Sequence, residues 1–298
     1  MSTFELAAGR HRSLAETVRD YLSLFKLRVV ALLVATALGT MLAAARGWPR
    51  PMAVVAVALG GALAAGGAHA INCWFDRDID ATMKRTSRRP IPNGRIPGWH
   101  GLALGIALNA AAFMVLASLA NLLAALLALL GTLIYVFVYT VWLKRTTPQN
   151  IVIGGAAGAV PPLVGWAAVT GRLDLTAVAL FLLIFFWTPP HFWALAQLTS
   201  ADYSRAGVPM MPVVAGASAT KRRSLLYAAI VVAVSFVPVL THAVGYVYLA
   251  GAIVLGIGFL ALAVLDLRGR RWTGRLFHFS NTYLAALFLL LAISPFTA

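Results

Sequence analysis

The sequence predicts an all-α, polytopic membrane protein of about nine transmembrane helices, and three observations lead there. Apolar runs of about 20 residues, the length a helix needs to cross roughly 30 Å of hydrocarbon, recur from Val29 to the end. Charged residues make up only 11% of the 298 and mean hydropathy is +0.85, far from the balance of a soluble domain. The cations that remain fall almost entirely in alternate connections.

Taken in order, residues 1–26 are polar and mixed in charge, without the apolar stretch and small-residue cleavage site of a secretory signal. They are expected to form a cytoplasmic N-terminal segment, ahead of a membrane domain over 27–298. Spans bounded by charges, glycines or prolines are expected at 27–45, 51–71, 99–119, 121–143, 149–169, 176–197, 224–243, 245–266 and 276–295. With the N-terminus in the cytoplasm, the cytoplasmic segments hold 21 Lys and Arg, and the opposite side holds Arg46, Arg50 and Arg172 alone. That asymmetry is the positive-inside rule, and it places the C-terminus on the opposite side. It also accounts for the net charge of +15 by anionic headgroups, so no nucleic-acid partner is needed. Cys73 is the single cysteine, which excludes an internal disulfide and a cysteine metal cluster.

Charge inside so apolar a chain marks function. The stretch from Asn72 to Pro92, NCWFDRDIDATMKRTSRRPIP, sets three of the nine acidic residues beside five cations. Asn72, Asp76 and Asp80 are four residues apart, which on an α-helix places them within about 40° of one face. Hard oxygen donors at this spacing suit Mg²⁺ and leave coordination sites for phosphate oxygens. Asp78 lies about 180° away on the same wheel and is the poorest ligand. A solvated helix end, its carboxylates paired with Arg85, Arg88 or Arg89, is the plainer reading. Regular spacing and the amide at the membrane end favour the metal and a diphosphate. Lys84, Arg85, Arg88 and Arg89 follow within one or two turns, close enough to grip phosphate oxygens.

Other candidates stand nearby or mirror this segment. His69 shares the face of Asn72, deeper in the second span, where a lone His more often satisfies a helix–helix hydrogen bond. Lys144 and Arg145 end the fourth span, with topology anchoring as their default role, and Asn150 opens the fifth. A second long loop begins with Asp202 in ADYSRAGVPMMPVVAG and closes with Lys221, Arg222 and Arg223. Its likeness to the first loop suggests two related halves, spans 1–4 and 5–8. In FFWTPPHFWALAQL two prolines are expected to break the sixth helix just before His191. A helix continued from His191 puts Asp202 about 20° away on the same face. His191 is a candidate to touch a flat aromatic substrate or its metal, with a structural hydrogen bond as the alternative. No phosphate-binding Gly-Lys loop, Ser-His-Asp order or zinc His-Glu-x-x-His motif occurs, which leaves metal-assisted chemistry on a diphosphate.

The order N-x-x-x-D-x-x-x-D after the second of nine spans, then an aspartate loop after the sixth, resembles the UbiA superfamily of intramembrane prenyltransferases over nearly the whole chain. Within it, DRDIDATMKRTSRRP, YTVWLKRTTPQNIVIGGAAGAVPPLVGW, WTPPHFWALA and DYSRAGVPMMPV are similar to the heme-farnesylating members. The resemblance implies a helical bundle around a central cavity, in a bacterial inner membrane. It implies Asn72, Asp76, Asp80 and Asp202 as catalytic groups, the three aspartates holding Mg²⁺. Farnesyl diphosphate would be clamped by Arg85, Arg88, Arg89, Lys144 and Lys221. Its farnesyl group would pass to a vinyl group of heme B with addition of water, giving heme O. Tyr139, His69 and His191 are candidates for the base that water requires, and Asn150 for a substrate contact. A heme A synthase is the protein partner this chemistry suggests. Many members carry a second D-x-x-x-D, but the position four after Asp202 is Ala206. A relative acting on a quinone or chlorophyll precursor is the nearest rival. A secondary transporter is the rival of another class, disfavoured because charge gathers at one membrane face instead of the midplane.

Overall fold

A computed structural model describes residues 13–297, so the expectation for the start of the N-terminal segment lies outside the described residues. No strand occurs among them, and nine helices are long and apolar enough to cross a membrane. A short helix, α1 (Leu14–Leu24), comes first, capped by Ser13 and Glu16 in a reciprocal capping box. The spans that open the chain are α2 (Leu27–Ala45) and α3 (Pro51–Phe75), followed by the short α4 (Arg77–Thr82). Next come α5 (Gly98–Leu119), α6 (Leu122–Thr146), α7 (Asn150–Thr170) and α8 (Leu175–Leu198). After the short α9 (Ser200–Arg205), the chain closes with α10 (Gly216–Leu240), α11 (Tyr246–Asp266) and α12 (Arg270–Phe296).

Most span limits fall within a few residues of expectation, and the departures share a cause. The seventh span starts at Gly216 instead of 224, and the ninth at Arg270 instead of 276. Lys221, Arg222 and Arg223 therefore stand on the first turns of α10 instead of closing a loop. Charge marks where the hydrocarbon ends, but Lys and Arg are good helix formers, and the helices run on past it. The expected break in the sixth helix is absent: α8 passes through Pro189 and Pro190 without interruption, and α7 does the same at Pro161 and Pro162. Proline removes one ladder hydrogen bond and crowds the preceding turn, and burial against neighbouring helices tolerates this in a membrane bundle.

Small residues set the closest approaches. A Cβ on Gly105 would lie 2.7 Å from the carbonyl oxygen of Gly67, and one on Gly67 would lie 2.8 Å from that of Gly105. Here α3 and α5 touch backbone to backbone. Gly105→Leu is expected to wedge them apart at a cost of about 1–3 kcal/mol, the usual penalty of overpacking. A lowered thermal midpoint of the purified protein is the readout, and an unchanged midpoint would show that the contact is not tight.

The two long loops are alike in form. Each follows a long span that ends at one non-helical residue, Asp76 or Thr199, and each begins with a six-residue helix, α4 or α9. Thr199, with φ −118° and ψ 23°, separates His191 on α8 from Asp202 on α9.

Candidate active site

Asp76 caps the end of α3 and is the hinge to α4, with φ −84° and ψ 8°. The break is small. Asp76 N–H still reaches Asn72 O at 2.9 Å, and Asp80 N–H reaches Asp76 O at 2.8 Å, so the four-residue register survives. Asp76 and Asp80 are 1% and 3% exposed. Asp78 faces outward, as its position on the wheel requires.

Burying two carboxylates demands partners. Lys144 Nζ donates to Asp76 Oδ2, and Arg89 Nη1 donates to Asp80 Oδ2 at 2.5 Å. Asn72 Nδ2 donates to Asp76 Oδ2 at 2.6 Å and to Thr140 Oγ1 at 3.1 Å. Lys26 Nζ donates to Asn72 Oδ1 at 3.0 Å and to the Tyr135 hydroxyl at 3.4 Å, and that hydroxyl lies 3.1 Å from His69 Nδ1. His69, Asn72 and Asp76 on α3 thus meet Tyr135, Thr140 and Lys144 on α6 in three successive rungs.

The two sides of this ladder do not have equal numbers of residues. Seven residues separate His69 from Asp76 and rise about 10.5 Å as an α-helix, whereas the nine from Tyr135 to Lys144 would rise about 13.5 Å. The mismatch is removed because Ile134–Leu143 is a π-helix. Its wider i→i+5 turns appear in the bond from Lys144 N–H to Tyr139 O and in Thr140 Oγ1 donating to Tyr135 O at 2.8 Å.

Arg145 has a structural part beyond topology. Its two terminal nitrogens grip Asp78 at 2.7 and 2.8 Å, one of them also donates to Phe75 O at 3.2 Å, and it lies 3.7 Å from Asp76 Oδ1. The guanidinium thereby closes the carbonyl left open where α3 ends. The hydrogen bonds from Arg145 hold the Asp78 carboxyl down at about 2. A depressed carboxyl stabilises the fold fully above its unfolded value near 4 and loses that contribution as pH falls toward about 2. Asp78→Asn should flatten stability over this acid window, measured as thermal midpoint against pH. An unaltered profile would show that the pair contributes nothing.

The remaining sequence candidates divide. Arg85 reaches Tyr203 on α9, joining the two loops, and burial pushes the Tyr203 hydroxyl up while Arg85 pulls it down. Tyr139 stacks on Tyr135, centroids 5.6 Å apart, and packs against Gly154, where a Cβ would collide with its ring. Asn150 is fully buried, and neither its amide oxygen nor its amide nitrogen has a hydrogen-bond partner. Arg88 is exposed. Asp202 pairs with Arg205 at 3.4 Å, and among the described residues no three His, Cys, Asp or Glu side chains converge as a metal cage. Lys221 is engaged elsewhere, with the carbonyl and carboxylate of Asp266 at 2.6 and 3.2 Å. His191 is sandwiched between Trp187 and Phe277, at 4.3 and 4.8 Å, with Nδ1 2.7 Å from Ser280 Oγ. The hydrogen bond to Ser280 is thus a structural one, between α8 and α12.

Lys26, Tyr135 and Thr140 were not singled out in the sequence. Each is ordinary in its local context, and only a contact more than 45 residues away reveals it. The donor set suits a hard divalent cation: Asp76 Oδ1 is buried without a hydrogen-bond partner, beside a second buried carboxylate.

Comparison with known proteins fits this arrangement. The UbiA prenyltransferase family model matches residues 32–282. A protoheme IX farnesyltransferase of Roseiflexus sp. (strain RS-1) is 52% identical over 93% of this chain, which covers 52% of that protein. The chain spans about half the length of that relative and of similar ones from Roseiflexus castenholzii and Chloroflexus aurantiacus. It covers 97% of the protoheme IX farnesyltransferase of Symbiobacterium thermophilum, at 51% identity over 96% of this chain. In fold it is similar to a digeranylgeranylglyceryl phosphate synthase, with TM-score 0.80 and 18% identity over 95% of this chain and all of the other. A UbiA homolog from Archaeoglobus fulgidus bound to DMAPP and Mg²⁺ gives TM-score 0.65 and 18% identity over 92% of this chain and 99% of that one. With its nine spans and its paired aspartates at the end of the second, the chain belongs to the UbiA prenyltransferase family.

Proposed function

We propose that the chain is a protoheme IX farnesyltransferase, moving farnesyl from farnesyl diphosphate to a vinyl carbon of heme B with addition of water, to give heme O. The observation that supports this best is the buried pair Asp76 and Asp80, each matched by a cation, at the end of an apolar bundle. Relatives at 52% and 51% identity are protoheme IX farnesyltransferases, which supports heme B as the acceptor. The site would face the cytoplasm of a bacterial cell from its inner membrane, and a heme A synthase would take up the product.

When bound, Mg²⁺ would neutralise charge building on the leaving diphosphate as the allylic bond breaks, held by Asp76 and Asp80, with Asp202 as a third ligand once it leaves Arg205 and the second loop closes on them. Lys144 and Arg89, which pair with the carboxylates here, can turn to phosphate oxygens, with Lys26 and Arg85 adding positive charge beside them. Lys221 is left out of this clamp because Asp266 holds it. Asn72, fixed by Lys26 and Thr140, orients Asp76. Apolar side chains of the spans keep water from the farnesyl cation. The vinyl carbon bonds to C1 of farnesyl as the C1–O bond breaks and diphosphate leaves. The cation left beside the porphyrin then takes the oxygen of one water, whose proton passes to a base. His69 Nε2, buried and without a hydrogen-bond partner, is the leading candidate for that base, ahead of Tyr139 and His191.

Incubation of purified protein with heme B, farnesyl diphosphate and Mg²⁺, followed by mass spectrometry of the hemes, tests the assignment. Heme O is the expected product, and its absence alongside prenylation of a quinone precursor would reassign the acceptor. His191→Ala removes a ring packed between Trp187 and Phe277 together with its bond to Ser280, and is expected to lower the thermal midpoint of the purified protein, with diphosphate affinity retained. An unchanged midpoint would show that the ring has no structural part.

A further inference from the structure

Helix α1 presents three surfaces where an ordinary surface helix has two. At about 100° per residue, Asp20, Tyr21 and Leu24 lie on one side. This side meets protein: Leu24 is 1% exposed, Asp20 pairs with Arg95 at 2.8 Å, and the Tyr21 hydroxyl is 2.5 Å from His100 Nδ1. About 120° round the helix stand Leu14, Val18 and Leu22, at i, i+4 and i+8, and they are 80%, 48% and 44% exposed. About 120° further on, Glu16, Arg19 and Ser23 are exposed and polar.

A helix resting on protein alone turns its apolar stripe inward. Here the stripe stands beside the protein contact, and an eleven-residue helix leaves it bare. The same bare apolar surface continues onto α2, a membrane span, at Leu27, Val29 and Leu32, which are 54%, 42% and 60% exposed. Protein, lipid and water would occupy the three sectors if the helix axis lay along the bilayer surface.

We propose that α1 is an interfacial helix, lying in the plane of the membrane at the face that carries Asp76 and Asp80. Leu14, Val18 and Leu22 enter the boundary between headgroups and acyl chains, and Glu16 and Ser23 face water. Arg19, at the edge of the polar sector, and the exposed Arg28 reach lipid phosphates. The placement bears on the site because α1 leads directly to Lys26. That residue takes a left-handed backbone, φ 51° and ψ 54°, which turns the chain into α2 and sends Nζ to Asn72. Asp20 and Tyr21 tie the same helix to Arg95 and His100, just after the aspartate loop. Lipid contact thus supports the elements that hold Lys26.

Nitroxide labels decide it. Leu14→Cys, Val18→Cys and Leu22→Cys are compared with Glu16→Cys, Arg19→Cys and Ser23→Cys, each in a Cys73→Ala background, in phosphatidylethanolamine–phosphatidylglycerol vesicles. Oxygen collisions, strongest in the acyl phase, are expected to exceed those of a water-soluble nickel chelate several-fold at 14, 18 and 22, and the order to reverse at 16 and 23. Nickel exceeding oxygen at all of these positions would overturn the proposal. Low access to both reagents at 14, 18 and 22, with spin–spin broadening, would overturn it too, by showing a second copy on this face. Because Cys73 is buried, the same labels in the Cys73-containing chain give the reading if the alanine background does not fold.

Discussion

Asp76→Asn is expected to abolish prenyl transfer, lowering kcat by about a thousandfold or more. Asp76 carries the carboxylate oxygen left without a hydrogen-bond partner and receives Asn72 and Lys144 on the other. Losing one preorganised electrostatic group at a site of developing charge costs about 10²–10³ in rate. Loss of a metal ligand adds to that. The substitution has a second effect. Lys144, 13% exposed, loses its counter-charge, and breaking a buried pair in this way costs roughly 3–5 kcal/mol. The double variant Asp76→Asn with Lys144→Met separates the two: stability should return while activity stays lost. Assays by heme mass spectrometry and melting curves read both, and wild-type heme O output from the folded Asp76→Asn protein would sink the assignment. Asp80→Asn should lose activity similarly and be less harmful to stability, since its partner Arg89 is more exposed than Lys144, at 25%.

Deleting Phe137 is expected to remove activity about as completely without touching a single group of the site. Phe137 is 60% exposed on the lipid-facing side of the π segment, so its side chain is dispensable for packing. Its backbone is not. The π segment runs over ten residues, so removing one leaves its wide turns in place and rotates Lys144 away from Asp76 while leaving Tyr135 where it is. The protein should still fold, because the span remains long and apolar enough to cross the membrane. Phe137→Leu is the control and should keep near-normal turnover. Full activity in the deletion variant would mean that the ladder's register is irrelevant to catalysis.

These two variants mark the line between what was legible in the sequence and what was not. Asn72, Asp76 and Asp80 stand out because charge is rare in this chain and because their spacing matches a helical face. That face persists across the bend at Asp76, since the i→i−4 bonds do. Arg89 and Lys144 were within reach of the same argument, as cations close to a membrane margin. Asp78 was read as pointing away, and Arg145 now shows what it points at. Lys26, Tyr135 and Thr140 were not legible. A lysine at the start of a first span has the local pattern of an anchor, and tyrosine and threonine in a span have that of packing. The prolines before His191 misled for the opposite reason: a strong local signal was outweighed by the packing around α8.

The sequence by itself determined the class and the number of spans, and it gathered the aspartates of the first loop at one end of the second span. Hydrophobic length, cation asymmetry and residue spacing are local or additive quantities, and they survive without knowledge of which helices touch. Only the tertiary structure decided which groups share the site. Pairing α3 with α6 depends on matching rise along the two helices, and the π segment, with more residues per turn than an α-helix, fits more residues alongside α3. No periodicity in the sequence announces that change of pitch. It brings Lys144 and Thr140 to Asp76 and Asn72, which would otherwise be a buried charge and a buried amide lacking these partners.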